Sequence, residues 1–269
     1  MVDLVARLCS RGFDPADVRG PDLEQYAALF AGRSEESMDE LRARLHAAAR
    51  PLRRVDSDRL LAVLTALARP PTAELNQAAV AAAAGVPATT LPPYLDVLAE
   101  LDLVRWLPGA RSAVANRAIA RPRVVHEDVG LARRLAGVSA DELTDLRGRR
   151  HLQPLLHGLV ARELMGEQGA GSVPHRVAHL RERNGLAVDL LVELDDGSVI
   201  GIEVRTAAAY RPHQVMRLRS LAARAGARFR LGVVLSTAAR GHWVGPVDGP
   251  RLCVLPIGAA LGAPGAARA

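Results

Sequence analysis

The sequence predicts a mixed α/β protein, helical in its N-terminal half and built on strands in its C-terminal half. Three observations lead there. Apolar residues up to Leu101 recur three and four apart, the spacing of one helix face. From Arg176 onward they fall in short runs bounded by Gly, Asp and Pro, the pattern of strands. The chain has 269 residues, 49% hydrophobic and 24% charged, which suits about two folded domains rather than a disordered polymer.

Residues 1–57 read as a helical cap of short helices. Leu4 with Leu8, then Leu23, Tyr26 and Leu29, then Leu41 and Leu45 mark their apolar faces. Gly12 to Pro15 and Gly32 to Ser34 break them. Residues 58–118 read as a winged helix-turn-helix. Leu60, Leu61, Leu64 and Leu67 form the first stripe, and Asn76 to Ala84 gives a small-residue helix. Gly85-Val86-Pro87 is the turn, and Thr89 or Thr90 is expected to cap the helix carrying Tyr94, Leu95, Leu98 and Leu101. Leu103 to Leu107 and a return strand over Ser112 to Asn116 would make the wing.

Residues 119–150 read as a connector, with a strand at Arg123 to His126 and a helix from Gly130 capped by Asp128. Residues 151–257 give the order α-β-β-β-α-β: a helix beginning at Pro154, strands over 176–180, 188–194 and 198–205, a helix over 212–225, and strands over 229–235 and 252–256. The tail 258–269 is rich in Ala and Gly and is expected to fray.

Net charge is +6, and every basic residue apart from histidine is Arg, since the sequence has no Lys. Arg binds phosphate well and does not lose its proton. The excess of Ala, Gly and Arg also fits a GC-rich genome, which is the simpler source of this bias. Two cysteines, Cys9 and Cys253, make neither a metal motif nor a disulfide framework, and a reducing cytoplasm fits. The start carries no signal-peptide pattern, and no run is long enough to span a membrane.

The chemistry gathers around Asp195-Asp196-Gly197. A three-residue hairpin loop with Gly in the left-handed position pairs Leu194 with Ser198. Counting back, Leu190 meets Ile202, Val192 meets Ile200, and Asp189 falls opposite Glu203. Asp189, Glu203 and Arg205 then share one face, because strand side chains alternate. Opposed carboxylates repel and need compensation. A bridging divalent cation is one answer, and neutralisation by Arg205 is the other. A two-residue turn would dissolve the pair.

Asp189 followed on the next strand by Glu203-Val204-Arg205, in an α-β-β-β-α-β order, resembles the PD-(D/E)xK nuclease superfamily. More narrowly, residues 58–257 resemble the C-terminal half of a group of bacterial and archaeal AAA-type ATPases. There a winged helix precedes a nuclease-like domain of unknown function. The matching pieces are Gly85-Val86-Pro87 with Tyr94 to Leu98, Asp128 to Ala132, Val188 to Val192, Gly201 to Arg205 and Leu218 to Leu221. The resemblance implies Glu163, Asp189, Glu203 and Arg205 as catalytic residues, with Asp189 and Glu203 holding Mg²⁺ or Mn²⁺. It also exposes departures. The third position is Arg205 where the family has Lys, and Arg is a poor proton acceptor. Ala187 stands where an acid is usual. No G-x-x-x-x-G-K-[ST] loop occurs, so no ATP site is expected in this chain, and the resemblance implies that residues 1–57 are either a remnant of the ATPase lid or a cap that replaces it.

The recognition helix, Thr89 to Leu101, has no Arg, which argues against base reading. DNA is expected as a partner mainly through its backbone, met by Arg105, Arg111, Arg117 and Arg181, with Arg121 and Arg123 alongside. His179 or Arg181 would meet a phosphate near Asp189, and Gln214 is a weaker candidate beside it. The expected function is a nucleic-acid-associated accessory or regulatory protein with a degenerate nuclease-like domain. An active metal-dependent deoxyribonuclease and a homodimerising interaction module are the alternatives.

Overall fold

The computed structural model describes residues 3–20, 36–52, 54–69, 74–111, 114, 118, 120–139, 141–143, 149–183, 185–207 and 211–261. Packing divides the chain into two units. A helical unit takes Glu24–Trp106 and Arg123–Gly158; a sheet unit takes Met1–Leu23, Leu107–Pro122 and Leu159–Ala269. These edges differ from the expected boundaries at 57, 118 and 150, because the N-terminal helix and residues 107–122 both pack with the sheet. The expected helix around Leu23 to Leu29 lies outside the described residues.

In the helical unit, α2 (Met38–Ala49) starts in a capping box. Ser37 and Glu40 each satisfy the other's backbone N–H. Helix α3 (Ser57–Ala68) is capped by Asp56, and α4 (Gln77–Ala84) by Asn76. Gly85 ends α4 at φ +66°, a left-handed conformation that glycine adopts without strain. Helix α5 (Leu91–Glu100) follows. The Thr90 hydroxyl donates back to the Pro87 carbonyl at 2.9 Å rather than capping α5, a correction to the sequence reading. Leu41, Leu45, Leu60, Leu64, Leu91 and Leu98 bury together as the core of this unit.

Strand β1 (Val104–Leu107) pairs with β2 (Arg123–His126), the strand assigned above to the connector. The expected return strand at 112–116 lies, apart from Val114, outside the described residues. Helix α6 (Val129–Leu135) begins at Asp128, whose carboxylate accepts the Leu131 N–H at 2.8 Å. The unit boundary falls within α7 (Arg149–Glu167), at Gly158. Pro154 sits inside α7 rather than at its start.

In the sheet unit, six strands lie in the order β3-β4-β5-β6-β8-β7. They are β3 (His175–Arg181), β4 (Ala187–Leu194), β5 (Val199–Val204), β6 (Phe229–Ser236), β7 (His242–Val244) and β8 (Leu252–Pro256). Strands β3, β4 and β5 form an antiparallel meander, while β5, β6 and β8 run parallel. A parallel step needs a crossover, and α8 (Met216–Ala225) supplies it between β5 and β6.

Leu218 and Leu221 of α8 press onto the sheet where Gly201 pairs with Gly232. A Cβ added at Gly201 would lie 2.6 Å from Leu221 Cδ2, so only glycine lets the helix approach this closely. The β3 edge is covered by Pro108 to Ala110, with Ala118 bridging to Glu182 just beyond it. Ala110 N–H donates to the His179 carbonyl at 2.8 Å, and His179 N–H donates to the Pro108 carbonyl at 2.9 Å. Helix α1 (Leu4–Cys9) is held at its start by Glu167, whose carboxylate accepts the Leu4 and Val5 N–H groups at 3.1 and 3.3 Å.

Candidate functional site

The β4–β5 hairpin adopts the three-residue loop. Gly197 sits at φ +77°, and Leu194 N–H donates to the Ser198 carbonyl at 2.9 Å. The register follows as expected: Leu190 faces Ile202, Leu191 faces Gly201, and Val192 faces Ile200. Beyond Leu190 the ladder changes. Strand β4 carries a bulge against β3 between the pairs Ala178–Leu191 and Leu180–Val188. Val188 therefore joins the core layer of Leu191 and Leu218 instead of continuing the layer of Leu190 and Val192, which corrects the simple alternation.

The bulge aims Asp189 at the end of β5. Its Oδ2 accepts the Val204 N–H at 3.0 Å and an Arg205 Nη1–H at 2.8 Å. Arg205 Nη2 donates to Glu203 Oε2, and Arg205 N–H donates to the Leu235 carbonyl at 2.8 Å. One guanidinium thus bridges both carboxylates. Arg217 of α8 places Nη1 3.8 Å from the same Glu203 oxygen. Formal charges in this group cancel, two acids against two cations. Glu203 is fully buried, and its Oε1 has no hydrogen-bond partner.

Of the expected set, Asp189, Glu203 and Arg205 come together. Glu163 lies on α7 with its Oε1 3.4 Å from Arg162 Nη2. Among the described residues no three His, Cys, Asp or Glu side chains form a group that could hold a metal ion. The position between Asp189 and Glu203 is taken by the Arg205 guanidinium, so the residues as arranged do not fit a divalent cation. Sequence reasoning missed Arg217. Its signal is its position: it is the second residue of α8, the helix that follows the acidic strand.

Several side chains proposed for phosphate contact have other work. His179 is fully buried, and its Nε2 lies 2.8 Å from the Arg121 carbonyl. Gln214 is buried, and its Oε1 accepts the Arg211 N–H at 2.8 Å. Arg123 is buried with an Nη2 3.8 Å from Glu74, and Arg105 pairs with Glu127. Arg111 and Arg181 are exposed in the sheet unit, while Arg117 lies outside the described residues. The solvent side of α8 adds exposed Arg217 and Arg219, with Arg228 just beyond, while Arg224 donates to the buried Glu182 carboxylate.

Two family models match the chain. One, described as a domain of unknown function (DUF8612), covers residues 47–142. The other, described as a domain of unknown function (DUF4143), covers residues 154–257. No curated protein and no solved structure matches. Among the described residues, no helix is long and apolar enough to cross a membrane.

Proposed function

We propose that this chain is a nucleic-acid-associated accessory protein whose sheet unit is a nuclease-like scaffold that no longer cuts. The carrying observation is the Arg205 bridge. A guanidinium held by both Asp189 and Glu203 takes the place a cation would need. It is also a poor base at any accessible pH. The order α3, α4, α5, β1, β2 supports a winged-helix reading of the helical unit, and the order of β3 to β8 supports the nuclease-like one. The exposed arginines of α8 support contact with a phosphate backbone rather than with bases.

The test is incubation of the purified chain with supercoiled plasmid and Mn²⁺, beside Glu203→Ala. Neither is expected to nick. Nicking by the wild type that Glu203→Ala abolishes would overturn the proposal. Duplex DNA is expected to bind with an affinity that falls linearly in log salt. Arg219→Glu should weaken binding evenly across sequences and lower that slope by roughly one. A salt-independent affinity would argue against backbone contact.

A second reading has one specific observation behind it. The unpartnered, buried Oε1 of Glu203 is costly to leave unmade. It favours a live, metal-dependent site in which Arg205 swings away. The same plasmid assay decides between the two.

A further inference from the structure

Strand β7 ends the six-stranded sheet, and its side chains alternate. Val244 enters the core beneath α8 with Leu218 and Leu221, whereas Trp243 faces the other way, towards Phe13. Gly241 shares the side of Trp243. A Cβ there would overlap the Pro15 carbonyl, so glycine lets the segment around Pro15 close over the start of the strand. That cover stops short of Trp243. Phe13 meets the indole edge-on, with centroids 6.0 Å apart and planes at 76°, and Arg251 lies 4.9 Å over the ring centroid. The indole is braced by both and is still 42% exposed. Core packing alone would close such a ring off; here it offers a fixed aromatic surface to the solvent.

A second feature stands at the start of the same strand. Gly20 N–H donates to the Ala239 carbonyl at 3.1 Å, and Gly241 N–H donates to the Val18 carbonyl at 3.0 Å. Arg19 and Arg240 between them therefore oppose each other as a non-hydrogen-bonded pair, the arrangement that brings facing side chains closest. Like charges so placed are destabilising. Both arginines are exposed, and among the described residues no carboxylate pairs with either, the neighbouring Asp14, Asp17 and Asp248 included. The surrounding sequence deepens the imbalance, since residues 206–247 carry seven Arg and no Asp or Glu. An anion set between Arg19 and Arg240 would turn the repulsion into two charge-assisted contacts.

The arginine pair and the indole are three residues apart on one strand, about 10 Å at the usual rise, and alternation puts them on opposite sides of the edge. A stiff duplex meets one side of an edge and keeps its bases stacked on each other. A flexible single strand passes round the edge and has bases free to stack. We infer that the β7 edge binds single-stranded nucleic acid, with a phosphate between Arg19 and Arg240 and an unpaired base laid on Trp243 beside Arg251. The inference rests on the nucleic-acid reading above and names the kind of strand. A second copy of this chain suits the edge less well, because a two-fold contact would set these arginines against themselves.

The test uses the full chain and fluorescence anisotropy with labelled oligothymidylate, oligouridylate and a hairpin duplex, each of about 12 nucleotides, within the site size of a small domain. The unpaired strands should bind at least about tenfold tighter than the duplex, the worth of one stacked base. The tighter of the two homopolymers tells a DNA strand from an RNA strand. Trp243→Leu keeps an apolar side chain against Phe13 and should lose about tenfold on the unpaired strands alone, while Trp243→Phe keeps most of the affinity. Arg240→Gln should lower the salt slope by about 0.7, one phosphate on a single strand, and leave the thermal midpoint unchanged or higher because its repulsion with Arg19 is gone. A pair with a structural role only would leave the slope unmoved. Duplex binding as tight as that of the single strands, or undiminished binding by Trp243→Leu, overturns this inference and leaves the nucleic-acid reading standing. No binding of any oligonucleotide overturns both. Self-association that Trp243→Leu abolishes would give the edge to a second copy instead.

Discussion

Asp189 accepts the amide N–H of Val204 at 3.0 Å, a bond that a facing strand carbonyl makes in a regular ladder. The carboxylate therefore works as part of the backbone as well as part of the charge cluster. Asp189→Asn keeps an acceptor there and loses only the ion pair, whereas Asp189→Ala loses both. The alanine variant should cost about 2–3 kcal/mol and the asparagine variant less than half of that, read from urea midpoints at pH 7. Equal costs would mean that the Val204 contact contributes nothing.

Arg205 compensates a carboxylate that has no access to water. Arg205→Ala leaves Glu203 buried with only Arg217 at 3.8 Å, and such a loss costs about 3–5 kcal/mol. Adding Glu203→Gln in the same chain should restore most of it, because the uncompensated charge is then gone. A double variant as unstable as the single one would show that packing, not charge, is at stake.

Glu167 gives a pH signature. Burial is the largest influence on its carboxyl and raises it above the ordinary 4.5, against the lowering effect of the Leu4 and Val5 N–H groups. The folded state thus holds this proton more tightly than the unfolded chain. Its contribution is present below pH 4.5 and is lost as pH rises through the folded value. Glu167→Gln keeps an acceptor for α1 without a buried charge. Its thermal midpoint should exceed the wild type at pH 7.5, and the gap should close towards pH 4. A gap that stays constant with pH would contradict this.

The two thiols should separate cleanly. Cys253 is fully buried on β8, and burial pushes its thiol up to about 12. Cys9 is partly exposed, with a thiol raised by burial to a smaller extent. At pH 8 an aromatic disulfide reagent should label Cys9 alone in the native protein, slowly, and both residues in guanidinium. Rapid native labelling of Cys253 would show that the sheet opens readily.

The hairpin was legible because Asp195-Asp196-Gly197 admits a defined loop, and the loop fixes every pair from Leu194–Ser198 back to Leu190–Ile202. That register brings Asp189, Glu203 and Arg205 to the same end of the hairpin, but their contacts are made by the bulge that turns Asp189 toward the Val204 N–H. The bulge at Asp189 was not legible, since nothing in Val188-Asp189-Leu190 distinguishes a bulged strand from a straight one. The cover over the β3 edge was hidden for a related reason. Residues 107–122 carry wing-like turn signals, and which sheet they join is decided by tertiary contacts at His179 and Glu182 rather than by local pattern. Strand β7 has only three residues, too few for any period to register.

The backbone enters the sheet unit three separate times, at Met1–Leu23, Leu107–Pro122 and Leu159–Ala269. No single scission can free either unit with all of its segments. A gene fusion or truncation that cuts at one place would strip the β3 edge of its cover or the sheet of α1, exposing unpaired strand groups that invite aggregation. The two units are therefore not interchangeable modules. Recombination can pass them on only as a pair, and studying either alone calls for a rewired chain in which new linkers replace the excursions.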